Sequence, residues 1–108
     1  MGGEKDMIFT TDYGRYEIDP IPGQPQAAHC HGFFVRRLAR GQGNGHRLKL
    51  HQAQSLRDFH FDYATCTVSA DNAAQIKVLG AAGWRRLSTF RSGKTLDFVE
   101  LWGWVVTS

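Results

Sequence analysis

The chain has 108 residues, which suits one domain with a modest core and not two. Its apolar share of 42% and charged share of 21% are those of an ordinary soluble globular protein. No apolar run approaches the roughly 20 residues that a membrane span requires, and the opening Met1-Gly2-Gly3-Glu4-Lys5-Asp6 lacks a signal peptide's pattern, so no membrane association and a cytoplasmic address are expected.

Met7–Thr11 is apolar and β-branched, Tyr13-Gly14 supplies a turn, and Arg15–Ile18 alternates again, which predicts a small hairpin. Asp19-Pro20-Ile21-Pro22-Gly23-Gln24-Pro25 follows. Its three prolines remove donors and fix the backbone, so it is expected to be a loop. His31–Leu38 reads as a strand centred on Phe33, Phe34 and Val35, and it runs into Arg40-Gly41-Gln42-Gly43-Asn44-Gly45. A helix is predicted from about Asn44 to Phe59, with Gly45, Leu48, Gln52, Leu56 and Phe59 on one stripe that Gln52 interrupts. Tyr63–Val68 is a second strand. Ser69-Ala70-Asp71-Asn72 offers capping side chains for a helix that carries Asn72, Ile76 and Leu79 and ends at Gly83. Trp84–Arg91 and Thr95–Val106 make a final pair of strands. The layout is mixed α/β.

Net charge is +3, and its placement matters more than its size. From Pro20 through Arg57 there is no acidic residue, while Arg36, Arg37, Arg40, Arg47, Lys49 and Arg57 all fall there. Such a field attracts polyanions, either a nucleic acid or a phosphorylated cofactor. The glycine-rich turn favours the cofactor. Glycines let backbone N–H groups converge, and the helix start adds unpaired N–H groups and the positive end of its dipole. No Walker-type lysine follows, and the third glycine comes too early for the dinucleotide fingerprint. A nucleic-acid-binding protein explains the charge but not this turn.

At these residues the chain resembles the GNAT acetyltransferase superfamily. Phe33-Phe34-Val35-Arg36-Arg37-Leu38-Ala39-Arg40-Gly41-Gln42-Gly43-Asn44-Gly45 is similar to that family's central strand and its signature Q/R-x-x-G-x-G/A, with Arg40, Gly43 and Gly45 at the defining positions. Asn72, Ile76, Gly83 and Trp84 resemble its second motif, an asparagine, a helix, then Gly-aromatic. The resemblance implies a GNAT-like acyl-CoA N-acyltransferase fold, a mixed and mostly antiparallel sheet flanked by helices. It also implies acetyl transfer from acetyl-CoA to an amine by direct attack. It assigns the pantetheine arm to the backbone of Phe33, Phe34 and Val35, the pyrophosphate to Gly41, Gln42, Gly43, Asn44, Gly45 and His46, and the pantetheine or acetyl region to Asn72, with Arg40 also among the cofactor-binding residues. The family often carries a tyrosine in its second helix, and Leu79 stands there.

Residues 1–108 are expected to form a single domain, with a shortened hairpin and proline loop (1–32) and an acyl-CoA-binding core (33–106). His31 and Glu100 are the candidate general bases, since imidazole titrates near neutrality and a carboxylate in an apolar strand can accept an amine proton. Cys30 and Cys66 are expected reduced and packed. His29 and His31 lack further converging ligands, so no metal is expected. Trp102 and Trp104 on the last strand suggest a homodimer through that strand. A fold that keeps the cofactor site without turnover, as an interaction module, is the alternative.

Overall fold

The computed structural model describes residues 7–107. Six strands, β1 (Met7–Thr10), β2 (Gly14–Ile21), β3 (Gln24–Val35), β4 (Tyr63–Ser69), β5 (Arg85–Arg91) and β6 (Phe98–Val105), form one sheet in the order β1-β2-β3-β4-β6-β5. Helix α1 (Asn44–Asp58) follows β3 and helix α2 (Ala73–Ala81) follows β4. All neighbours are antiparallel except β3 and β4. A parallel pair needs a long crossover, and α1 supplies it. This is the mixed α/β sheet that the pattern of elements predicts.

The expected proline loop is instead a hairpin. β2 runs through Pro20 to Ile21, and Ile21 pairs with Gln24 across Pro22-Gly23. Proline followed by a residue at positive φ is the pattern of a type II turn, and Gly23 has φ +81°. Pro20 stands opposite Ala28 at a register slip, where a residue without an N–H costs little. The boundary expected at residue 33 therefore falls inside one continuous strand, and β3 ends at Val35 rather than Leu38. A 3-10 turn at Arg37–Ala39 follows it.

One face of the sheet carries the buried Tyr16, Ile18, Ala28, Cys30, Ala64, Cys66, Val68 and Trp102. Both helices lie on this face, contributing Leu48, Leu56 and Leu79 to the same core. Of the predicted α1 stripe, Leu48, Gln52 and Leu56 are buried, while Phe59 is half exposed. The Tyr16 hydroxyl ties α1 to β2, 2.6 Å from Ser55 Oγ and 2.6 Å from His51 Nδ1. The opposite face carries Glu17, Asp19, His29 and His31, and neither helix covers it. The final strand β6 lies inside the sheet, between β4 and β5, with Trp102 buried. It has no free edge for a partner strand, so the expected dimer cannot form by strand pairing along β6; the sheet's edges are β1 and β5.

β3 also bulges. Arg15 pairs with Phe34 but Glu17 with His31, so β3 holds one extra residue there. Gly32 absorbs it at φ +62°, with a would-be Cβ only 2.7 Å from Glu17 Oε2. The insertion reverses the alternation of side chains. Ala28 and Cys30 face the helices before the bulge, Phe33 and Val35 after it.

Candidate functional site

β3 and β4 pair only at Ala27–Tyr63, Ala28–Ala64 and His29–Thr65. Beyond that the bulged β3 and the straight β4 part, and each leaves backbone N–H and C=O groups without a ladder partner along the cleft. A cavity of about 340 Å³ fills the split, between Cys30–Phe33 on one side and Cys66–Ser69 on the other. Lys49 and Gln52 of α1 wall it, together with Asn72 and Gln75 at the start of α2. It shares Phe33, Asn72 and Gln75 with a second cavity of about 600 Å³, which extends to the glycine-rich turn.

At that turn Gly41 and Gly43 have φ +74° and +80°, and neither has an atom within 4 Å of a would-be Cβ. Gly43 is the N-cap of α1, no side chain caps it, and no acidic residue lies in the first turn. The first-turn N–H groups therefore lack the side-chain acceptor that most helix starts supply. The neighbouring side chains hold the turn: Arg40 Nε donates to Val35 O (2.9 Å), Gln42 Nε2 to Leu38 O (3.0 Å) and Asn44 Nδ2 to Ala39 O (2.9 Å). Gly45 serves a different purpose, since a Cβ there would sit 3.4 Å from Val78 Cγ2 where α1 meets α2. Asn72 caps α2, its Oδ1 accepting from Gln75 N (3.2 Å), at the junction of the two cavities. Phe33, Phe34, Val35, Arg40, Gly41, Gly43, Asn44, Gly45, His46 and Asn72 all line the larger cavity; Gln42 alone of the expected set does not.

These features fit a pantetheine–pyrophosphate ligand. An unpaired strand edge matches an amide-bearing arm, and an uncapped helix start beside open glycines matches a pyrophosphate.

His31 lies at the bulge, on the wall of the smaller cavity, and its Nε2 is 2.7 Å from Asp19 Oδ2. Its ring stacks on His29 at 6.0 Å. His29 Nδ1 in turn is 2.9 Å from Thr65 Oγ1. Partial burial, and then repulsion from His31, lowers the His29 pKa. Asp19 was invisible as a partner because it falls in the segment expected to be a loop.

Glu100 is placed elsewhere. Its carboxylate accepts from Trp102 Nε1 (2.9 Å) and Arg86 (3.4 Å) on the helix-covered face, away from the cavity lining. The pairing of Glu100 with Val68, itself a core residue, dictates that face. Both cysteines are buried and form no disulfide. Burial pushes the Cys30 thiol up to about 12 and raises Cys66 as well, so neither is a ready nucleophile. Leu79 is fully buried in the core and does not reach the cleft wall; Val78 and Lys77 do. Among the described residues no helix is long and apolar enough to cross a membrane.

No protein-family model and no curated protein sequence matches the chain. Its structure is similar to the ribosomal-protein-S18-alanine N-acetyltransferase of Escherichia coli, at 17% identity and a TM-score of 0.80, covering 98% of this chain and 72% of that one. It is similar to a Bacillus subtilis acetyltransferase in complex with CoA, at 14% identity and a TM-score of 0.75, covering 92% and 74%. A GCN5-related N-acetyltransferase from Kribbella flavida matches at 21% identity and a TM-score of 0.74, covering 86% and 60%. The chain has the fold of the GNAT acetyltransferases.

Proposed function

We propose that this chain is an N-acyltransferase of the GNAT superfamily that uses acetyl-CoA, or a related short acyl-CoA, as donor and an amine as acceptor. The split between β3 and β4, leading to an uncapped helix start at Gly43, carries this reading. Bound acyl-CoA would supply a thioester carbonyl open to attack. The free backbone edge of Phe33, Phe34 and Val35 would align the pantetheine arm. Gly41, Gly43 and the N–H groups of Asn44, Gly45 and His46 would hold the pyrophosphate.

His31 takes the proton from the attacking nitrogen in this scheme. Asp19 orients its ring and stabilises the charge that forms. The new C–N bond replaces the C–S bond, and the leaving thiolate takes its proton from water, since Leu79 carries none. A thiol of ordinary acidity, pKa about 8.5, leaves without strong assistance.

The buried, acid-free Leu79 favours a second reading, a module that holds CoA without turnover. Release of CoA from acetyl-CoA with a panel of peptide and small-molecule amines separates the two. Turnover with any amine supports the transferase. Binding without turnover across the panel supports the module. Self-association belongs to the same proposal, through the helix-free face where the half-exposed Leu87 lies beside Gly103 of β6. Light scattering that gives only monomer defeats it.

A further inference from the structure

Two polar residues at the cleft are almost sealed from water. Lys49 is 2% exposed and Gln52 is 1% exposed. They are three residues apart on the inward face of α1, and both line the 340 Å³ cavity beside Cys30 and Cys66. The Lys49 ammonium lies 4.2 Å from the Trp84 ring centre and 4.9 Å from that of Phe33. Aromatic faces attract a cation but accept no ordinary hydrogen bond. Among the described residues no carboxylate lies within ion-pair distance of Lys49. Both the Nε2 and Oε1 of Gln52 are buried without a partner.

A buried amide with both ends unpaired is costly to leave unsatisfied, and an ammonium without a carboxylate partner stands beside it on the cavity wall. A helix stripe that needed only to pack would carry leucine at both positions. The cavity lining contains no Asp or Glu, so nothing in it neutralises the cation. The occupant that fits is an acceptor with negative charge. On the reading above, Asn72, which lines both cavities, meets the pantetheine or acetyl region of the donor. Lys49 and Gln52 then stand on the helix side of the split where the reactive end of the donor lies. An acetyl methyl offers them no acceptor.

We propose that Lys49 and Gln52 form an acyl-recognition site for a short acyl group ending in a carboxylate, as in a malonyl or succinyl thioester. The terminal carboxylate accepts from Gln52 Nε2 and from the Lys49 ammonium, while the thioester end stays at the strand split. This rests on the acyl-CoA reading and adds the identity of the acyl group.

The test is calorimetric binding of CoA, acetyl-CoA, malonyl-CoA and succinyl-CoA to the intact chain. Either dicarboxylic thioester should bind at least about tenfold more tightly than acetyl-CoA, the advantage that a charge-assisted hydrogen bond supplies. K49M keeps the length of the side chain and removes the charge; Q52L keeps the volume and removes the amide. Each should bring the dicarboxylic donor down to the affinity of acetyl-CoA. The ligand comparison on the parent protein stands even if a variant fails to fold. Equal or tighter binding of acetyl-CoA overturns the acyl assignment and leaves the transferase reading intact. Variants that weaken all four ligands alike show Lys49 and Gln52 to be packing residues and also overturn it. If none of the four ligands binds, the transferase reading itself falls.

Discussion

Gly43 occupies the left-handed region just where the chain enters α1, and the space beside its Cα is open. Two physical effects therefore act on any side chain placed there. A β-branched residue at φ +80° is strained by about 1–3 kcal/mol, and its methyl groups would enter the space proposed for phosphate. G43V should lose CoA binding beyond calorimetric detection while keeping a folded circular-dichroism spectrum. G43A should fall between it and the parent, and parental affinity in a folded G43V would move the phosphate site elsewhere. Lys49 gives a second prediction at this scale. Burial lowers its pKa, so the unfolded chain holds its proton at a pH where the native chain has released it. Stability contributed by that difference rises with pH from the native-state pKa to the unfolded value near 10.4. Below the native-state pKa the cost of the buried charge is fully present. Cys30, pushed up to about 12, and Cys66 act in the opposite sense: the native state keeps thiol protons that the unfolded chain loses above about 8.5. K49M also removes the downward pull of the ammonium on both thiols, which deepens the alkaline loss in the variant and so acts in the same direction as the loss of Lys49 itself. K49M should be the more stable protein near neutrality, and its lead in urea midpoint should shrink as pH climbs towards 10. A lead that stays constant with pH would mean that Lys49 is not a buried charge.

The helices and the outer strands were legible as elements because each has a local signal: Asn72 caps α2, Gly83 stops the chain at φ +88°, and Leu48 and Leu56 keep helical spacing. The prolines misled for an equally local reason. Three of them within six residues look like a loop, but Pro22-Gly23 is a tight turn and Pro20 sits at a register slip where its missing N–H costs little. The bulge at Gly32 left no mark in the periodicity, and with it went the reversal that turns Phe33 inward and sets His31 beside the cleft. Gln52 was visible as a break in the α1 stripe, but only packing shows its amide to be unpartnered. The glycine-rich turn was legible as a strand-to-helix turn with open glycines because its geometry is built from backbone. The roles of Glu100 and Leu79 depend on which sheet face and helix side they occupy, which short motifs do not carry. Leu79 yields the prediction at this scale. A tyrosine there would force a ring and a hydroxyl into a filled core, which typically costs about 1–3 kcal/mol. L79Y should therefore lower the thermal midpoint by several degrees, at about 4–8 °C per kcal/mol for a chain of this size, without creating a proton donor at the cleft. A variant as stable as the parent, with faster turnover, would show that the helix can turn this side chain towards the ligand.

The sheet has two halves that meet narrowly. β1, β2 and β3 are bonded to one another, as are β4, β6 and β5, and among the described residues the backbone links between the two sets are three ladder pairs, Ala27–Tyr63 to His29–Thr65, and the bond from Asp62 N to Gln26 O beside them (2.8 Å). The rest of the connection is side-chain packing under α1 and α2, plus the Tyr16 hydroxyl anchor to α1. A ligand lying along the free edge of β3, with its phosphates on the start of α1 and its arm beside Asn72, would touch both halves at once. Such a ligand binds the native state and has nothing to bind in the unfolded chain. CoA at a hundredfold excess over its dissociation constant should then add about 2.7 kcal/mol. For about one hundred residues this corresponds to a rise in thermal midpoint of about 10 °C or more. The rise should grow with the logarithm of CoA concentration, which sets specific binding apart from a general effect of added anion. Equimolar inorganic pyrophosphate offers only the charged part of the ligand and none of the arm, so it should give a clearly smaller shift. A CoA titration that leaves the midpoint unmoved would remove the cofactor from the cleft, and the acyl-recognition site at Lys49 and Gln52 with it. A shift matched by pyrophosphate would confine binding to the turn at Gly41–His46 and leave the split between β3 and β4 without a ligand.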